Sequence, residues 1–191
     1  MMFLTPKLNQ AIQLASRLYK THLRRVDNET PYVTHLFSVA WILANYSGDE
    51  DVIIAGLFHD VLQDTSYDAK NLGKKFGPRV QKIVSNLASE DKRPGPKTDW
   101  QKKKKAYLKK LKNASKEGLL VAAADKYHNL LSLKEEYKLM GDRLWKCFRA
   151  PKTKQFWFYS EVLKILQNRL PGELTKTCKK SFQELIKLTS S

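Results

Sequence analysis

The sequence predicts an all-α protein, a single helical domain spanning residues 1–191. Three observations lead to that expectation. Apolar residues return every three or four positions along most of the chain, which is the spacing of one helix face. Helix-start signals stand ahead of these runs: proline at the first turn in Thr5-Pro6 and Gly77-Pro78, and a serine cap at Ser115. No segment shows the two-residue alternation of a half-buried strand, and there is no internal repeat.

Taken in order, Leu8, Ile12, Ala15, Leu18 and Tyr19 place a first helix from Pro6 to about Leu23. A turn-rich stretch from Val26 to Pro31 separates it from a second helix, Tyr32 to about Tyr46, on which His35, Val39 and Ile42 share a face. Ser47-Gly48-Asp49 stops that helix and caps the next, whose apolar run Val52 to Phe58 ends in His59-Asp60. Asp64 follows one helical turn after Asp60. Helices over 68–76 and 78–88 come next, then an aperiodic loop over 89–98 holding two prolines and a glycine. A lysine-rich helix over 99–112 and a helix capped by Ser115 follow, the latter carrying Asp125 after a Val-Ala-Ala-Ala run. Beyond Leu133 the pattern predicts a short charged helix, a break at Gly141-Asp142, and an aromatic block containing Trp145, Phe148 and Phe156 to Tyr159. Pro171-Gly172 ends the helix that carries the last of these, and an amphipathic helix over 174–188 closes the chain. The helices from 153 onward are expected to pack on the rest.

At 191 residues the chain can bury one sizeable core. No apolar run approaches the roughly 20 residues of a membrane span, and the N-terminal stretch lacks a signal-peptide pattern. Two cysteines, Cys147 and Cys178, make neither a disulfide framework nor a cysteine-based zinc site. These observations predict a cytoplasmic protein with no membrane partner. The formal charge of +16 attracts polyanions, either phosphorylated nucleotides or nucleic acid. Nucleic acid is the less favoured partner, because the chain has no recognised reading module and no aromatic interleaving of the kind single-strand binders use. The oligomeric state is not legible.

The chemistry concentrates in a few side chains. An imidazole and a carboxylate side by side at the polar end of an apolar run, His59-Asp60, ask for a partner. An unpaired polar group costs about 2–7 kcal/mol to bury, and a charge costs more. Asp125 follows four apolar residues and is expected to face the interior, where an aspartate wants a cation or strong donors. With His35 these make two nitrogen and two oxygen donors from separate helices, a set that suits manganese, iron or zinc and is too nitrogen-rich for calcium. Asn129, four residues after Asp125, shares its helical face. Gln63 and Asp64 stand four residues beyond His59 and Asp60, where water on a metal would be oriented. Taken alone, His35 reads more readily as a hydrogen-bonded helix histidine, and His59 equally well as a helix C-terminal histidine favoured by the dipole.

The order His35, His59-Asp60, Asp125 resembles the HD superfamily of metal-dependent phosphohydrolases. Pro31-Tyr32-Val33-Thr34-His35, His59 to Thr65 and Asp125-Lys126-Tyr127-His128-Asn129 are similar to the hydrolase domain of RelA/SpoT-type (p)ppGpp enzymes and their small stand-alone relatives. Phe76-Gly77, Trp100 with Tyr107-Leu108, and Leu144-Trp145 with Trp157 to Tyr159 extend the resemblance over roughly residues 20–160. It implies one divalent metal, usually manganese, on His35, His59, Asp60 and Asp125, and water-driven hydrolysis of a phosphate ester. In that family Asp64 matches an aspartate that helps orient the water, while Gln63 replaces a glutamate. Glutamine can hold a water but cannot take its proton.

The resemblance also implies substrate contacts from Lys126 and from Arg25, which stacks on a base or pairs with phosphate or else, read equally well, is a surface arginine at a helix end. Asn129, on the Asp125 face, is placed to hydrogen-bond a metal ligand or the substrate. His128 reads as a packed neighbour of the ligands, and His22 has a weaker claim. Lys102 to Lys105 reads first as a solvated face and second as an attractor for a pyrophosphate-bearing nucleotide. The expected activity is hydrolysis of a phosphorylated nucleotide, with (p)ppGpp cleaved at its 3′-pyrophosphate as the leading substrate and no room for a synthetase domain. The alternatives are another nucleotide or dinucleotide phosphate, or a catalytically weakened domain that senses a nucleotide or nucleic acid.

Overall fold

The computed structural model describes residues 4–88 and 100–190, in which the chain forms ten α-helices and one 3₁₀ segment. They are α1 (Pro6–Leu18), α2 (Val33–Tyr46), α3 (Glu50–Leu57), α4 (Val61–Asp64), α5 (Ala69–Phe76) and α6 (Pro78–Leu87), followed by α7 (Trp100–Asn113), α8 (Lys116–Met140), the 3₁₀ segment Gly141–Cys147, α9 (Lys152–Arg169) and α10 (Glu173–Leu188). The expected loop over 89–98 lies outside the described residues. No strand forms among the described residues; an isolated antiparallel bridge joins Leu23 to Pro31. The all-α expectation holds.

Side-chain caps set most helix starts. Thr5 accepts a hydrogen bond from the Leu8 amide, Asp49 from Asp51 and Val52, Asp68 from Asn71, and Ser115 from Gly118. Each satisfies a backbone donor that the first turn leaves unpaired, an effect of about 1 kcal/mol. Gly141 stops α8 at φ +56°, a conformation a side chain would strain.

Three boundaries differ from the periodic pattern. The first helix ends at Leu18 instead of running to Leu23. Its expected last turn is drawn into a loop in which the Arg24 amide donates to the Thr30 carbonyl and the Tyr32 amide to the His22 carbonyl. The helix before His59 closes at Leu57, so His59 and Asp60 sit in the turn between α3 and α4. Finally, the charged stretch after Leu133 is the last part of α8 and not a separate helix. Leu130 and Leu133 keep that part of α8 anchored in a core, and the charges occupy its outer side.

α8 is the central element, packed by α2, α3, α6, α9 and α10. Its Val121 to Ala124 run is fully buried, and small side chains there let neighbouring helices approach closely. One apolar cluster gathers Leu36, Val39 and Leu43 of α2 with Ile54 and Leu57 of α3 and the buried side of α8. A second holds Leu130 and Leu133 with Leu144, Tyr159, Leu163, Cys178, Phe182 and Leu185, which seats α10 against α8. Each such leucine contributes about 1.5–3 kcal/mol by leaving water.

Candidate active site

His35 enters the site from the first turn of α2, His59 and Asp60 from the α3–α4 turn, and Asp125 from the middle of α8. His35, His59 and Asp125 are buried, and a donor atom from each lies within 4.8 Å of the other two. His35 Nε2 is 3.4 Å from His59 Nε2 and 3.4 Å from Asp125 Oδ1, and His59 Nε2 is 3.7 Å from that same oxygen. Asp60 joins at the side, its Oδ2 being 3.1 Å from His59 Nε2.

The imidazoles are oriented from behind. His59 Nδ1 donates to the Gly56 carbonyl at 2.7 Å, which leaves Nε2 free to act as a lone-pair donor toward the cluster. His35 Nδ1 meets His128 Nδ1 at 2.8 Å. With His35 presenting its Nε2 lone pair to the cluster, Nδ1 carries the proton and His128 accepts it. Burial and His35 hold His128 down to about 4, so a neutral, accepting ring is the form present near neutral pH.

Three further groups hold the acids. The Tyr32 hydroxyl donates to Asp60 Oδ2 at 2.5 Å, and the Tyr32 ring stacks on Tyr19 and meets the His35 ring edge-on. Asn129 donates to one Asp125 oxygen, and the Lys126 ammonium pairs with the other. Sequence reasoning placed no role on Tyr32; its signal was its position three residues before His35 on an incipient helix.

Charge in the cluster follows from these contacts. Burial opposes charge on both acids, but His59 holds Asp60 below the usual carboxylate range, and Lys126 with the two histidines holds Asp125 well below it. Burial likewise opposes a charged His59, yet Asp60 and Asp125 outweigh it and raise that imidazole well above its ordinary value. His35 is pushed down, mainly by burial. Gln63 and Asp64 are both largely open to solvent. Even so, lost hydration around the Asp64 carboxyl and the nearby Asp60 charge lift it to about 6.

These donors fit a divalent cation. Nitrogen and oxygen atoms 3.1–3.7 Å apart are spaced as ligands of one ion with bonds of about 2.0–2.2 Å. The proton on His59, with Tyr32 donating to Asp60 and Asn129 and Lys126 to Asp125, offsets the charge of two carboxylates that meet two imidazoles at one point.

Beside the cluster opens a cavity of about 180 Å³ lined by Arg24, Arg25, Tyr32, Asn129, Phe148 and Tyr159, among others. Of the residues expected to touch substrate, Arg25 and Asn129 face this cavity. Lys126 points to Asp125 and the neighbouring aromatic wall. His22 lies behind, its Nε2 3.2 Å from the Asp64 carbonyl oxygen.

The HD-domain family profile matches residues 11–145, and the chain belongs to that family. Among curated relatives, the Drosophila melanogaster guanosine-3′,5′-bis(diphosphate) 3′-pyrophosphohydrolase MESH1 is 32% identical over 129 residues, 66% of this chain and 69% of that one. Its human counterpart is 30% identical over the same shares. A solved metazoan ortholog of SpoT, described as hydrolysing ppGpp, superimposes with a TM-score of 0.79 at 24% identity, covering 96% of this chain and 98% of its own. A Listeria monocytogenes structure gives 0.70 at 23% identity, over 80% of this chain and 99% of its own. The family makes this chain a hydrolase whose site takes a divalent metal. No helix among the described residues is long and apolar enough to cross a membrane.

Proposed function

We propose that this chain is a manganese-dependent pyrophosphohydrolase that removes the 3′-pyrophosphate of (p)ppGpp. The observation that carries the reading is the convergence of His35, His59 and Asp125 within 4.8 Å, beside a cavity lined by Arg25 and Asn129. Relatives named for this reaction support the substrate. In this reading His35, His59, Asp60 and Asp125 hold the ion, which supplies Lewis-acid polarisation and a nucleophilic water near neutral pH.

The chain's own groups do the rest. Water attacks the phosphorus on the ribose O3′, the O3′–phosphorus bond breaks, and the water oxygen leaves in pyrophosphate while a proton returns to O3′. Asp64, raised to about 6, orients the water and can accept its proton, whereas Gln63 orients it without accepting. Arg25 holds the base or a phosphate, and Asn129 links substrate to Asp125. Lys126 meets a phosphate oxygen. Tyr32 fixes Asp60. The site works in one domain with the C-terminal helices packed on α8, in a reduced, cytoplasmic setting consistent with two free cysteines.

Gln63 favours a second reading, a weakened site that binds a nucleotide as a sensor. The experiment is manganese-dependent release of pyrophosphate from ppGpp by the purified chain, beside a panel of other phosphorylated nucleotides. Release from ppGpp, lost on Asp125→Ala with the fold intact, is the expected result. Turnover of a different nucleotide would move the substrate, and metal binding without turnover of any would overturn the enzyme reading in favour of the sensor.

A further inference from the structure

α2 differs from the other helices in what it leaves out. Its 14 residues include no Asp, Glu, Lys or Arg, whereas every other α-helix of 8 residues or more among the described residues carries at least one. Its outward stripe, Thr34, Phe37, Trp41 and Asn45, recurs every three or four residues and lies exposed. Trp41 is 76% exposed and Phe37 36%, and Leu4, just ahead of the α1 cap, is 65% exposed. On a chain of net charge +16, an apolar helix face free of charge stands out from the surface around it.

That face also carries a recess. A groove of about 320 Å³ is lined by Leu4, Leu8 and Ile12 on the α1 side, by Phe37 and Trp41 of α2, and by Leu57 of α3, among others. Around α1 from Ile12, the next exposed positions are Asn9 and Ser16, which are uncharged as well. A large apolar projection and a large apolar recess therefore share one side of the molecule.

A face holding both is self-complementary, which a two-fold contact requires because the same surface serves both copies. Charge narrows the occupant further. An acidic partner gains nothing from a face without lysine or arginine. Two copies of a +16 chain repel wherever their lysines meet, and at 0.1 M salt that repulsion is screened only beyond about 10 Å. The uncharged α2 face is where they can approach. Burying one exposed tryptophan removes roughly 150–250 Å², so two symmetric indoles supply about 300–500 Å² of the roughly 1,000 Å² that a specific interface needs. Leu4, Ile12 and Phe37 of each copy add to that area, which puts the contact in the weak, reversible class.

We propose that the α1–α2 face joins two copies of this chain in a two-fold dimer, each Trp41 seated in the groove of the other copy. Apolar burial drives the contact, so it tightens as salt screens the surrounding lysines.

Sedimentation equilibrium of the purified full chain, followed from about 1 to 300 µM, should show monomer and dimer exchanging with a dissociation constant of about 1–100 µM. Raising sodium chloride from about 0.05 to 0.5 M should tighten the dimer several-fold. Trp41→Lys should weaken it by about tenfold or more, the loss expected of a central aromatic anchor. Trp41 is exposed, so the variant should fold, and thermal melting checks it. Should it fail to melt cooperatively, Leu4→Lys carries the same test from a position outside every helix. A wild type that stays monomeric, a dimer indifferent to the substitution, one that loosens with salt, or growth past the dimer each overturns the proposal. Co-sedimentation with phosphatidylcholine–phosphatidylglycerol vesicles checks a different occupant. Trp41-dependent vesicle binding by a chain that remains monomeric would overturn the dimer and give the face to a lipid surface.

Discussion

In the proposed reaction, Gln63 and Asp64 divide one task between two residues with different chemistry. If proton acceptance at position 63 limits the rate, Gln63→Glu should raise turnover of ppGpp by roughly tenfold or more, since positioned bases contribute about 10²–10⁴. Initial-rate kinetics at saturating manganese would show it, and an unchanged rate would leave Asp64 as the sufficient acceptor. Asp64 also makes a stability prediction for metal-free protein. Its carboxyl is raised in the fold from 3.8 to about 6, so its charge opposes folding. Its favourable neutral form is fully present below about 4 and is lost as pH rises through about 6. Asp64→Asn should therefore melt at a higher temperature than wild type at pH 8 and lose that part of the pH dependence. Bound metal should shrink the difference, because a nearby cation stabilises the carboxylate.

At the scale of the element, the approach of α2 to α3 determines whether two histidines far apart in sequence can meet. Gly56 is the contact: a Cβ there would stand 2.4 Å from Leu43 Cδ1 and 3.5 Å from a Val39 methyl. The Gly56 carbonyl also holds His59. Gly56→Ala should thus cost about 1–3 kcal/mol, the usual penalty for overpacking. It should also lower manganese affinity by shifting His59 relative to His35, measurable by calorimetry. A destabilised variant with unchanged metal affinity would separate packing from site geometry. The elements themselves were largely legible, because caps such as Thr5, Asp49, Asp68 and Ser115 act locally. The end of α1 was not: its periodicity continues past Leu18, but the 19–32 loop takes the backbone groups for its own hydrogen bonds. Likewise the unity of α8 was hidden, since its charged end stays helical only because Leu130 and Leu133 are packed by other helices.

Across the whole molecule, metal and fold should be coupled. The cluster draws on α2, the α3–α4 turn and α8, so an ion that binds it clamps three parts of the chain. At a hundredfold excess over its dissociation constant an ion adds about 2.7 kcal/mol, or roughly 5–10 °C in melting temperature for a chain of this size. Manganese should raise the wild-type melting temperature by that order, chelation should reverse it, and Asp125→Ala should abolish the shift. We further propose that residues 1–191 unfold as one cooperative unit, since α10 shares a core with α8; two separated calorimetric transitions would refute this. Metal affinity should fall with acidity as well, because the proton that Asp60 and Asp125 favour on His59 must leave before its Nε2 can bind.

The sequence by itself determined the helical class, most helix starts and the family, because periodicity, caps and short motifs are local in the chain. It also marked His35, His59, Asp60 and Asp125 as residues that needed partners. Only the tertiary structure decided which atoms those partners are. Tyr32 reaching Asp60, His128 backing His35, and Lys104 arriving beside Lys126 on Phe158 all join residues from distant parts of the chain or different elements. A lysine run looks uniform in sequence, but helix packing turns one member inward, and burial changes what its charge requires.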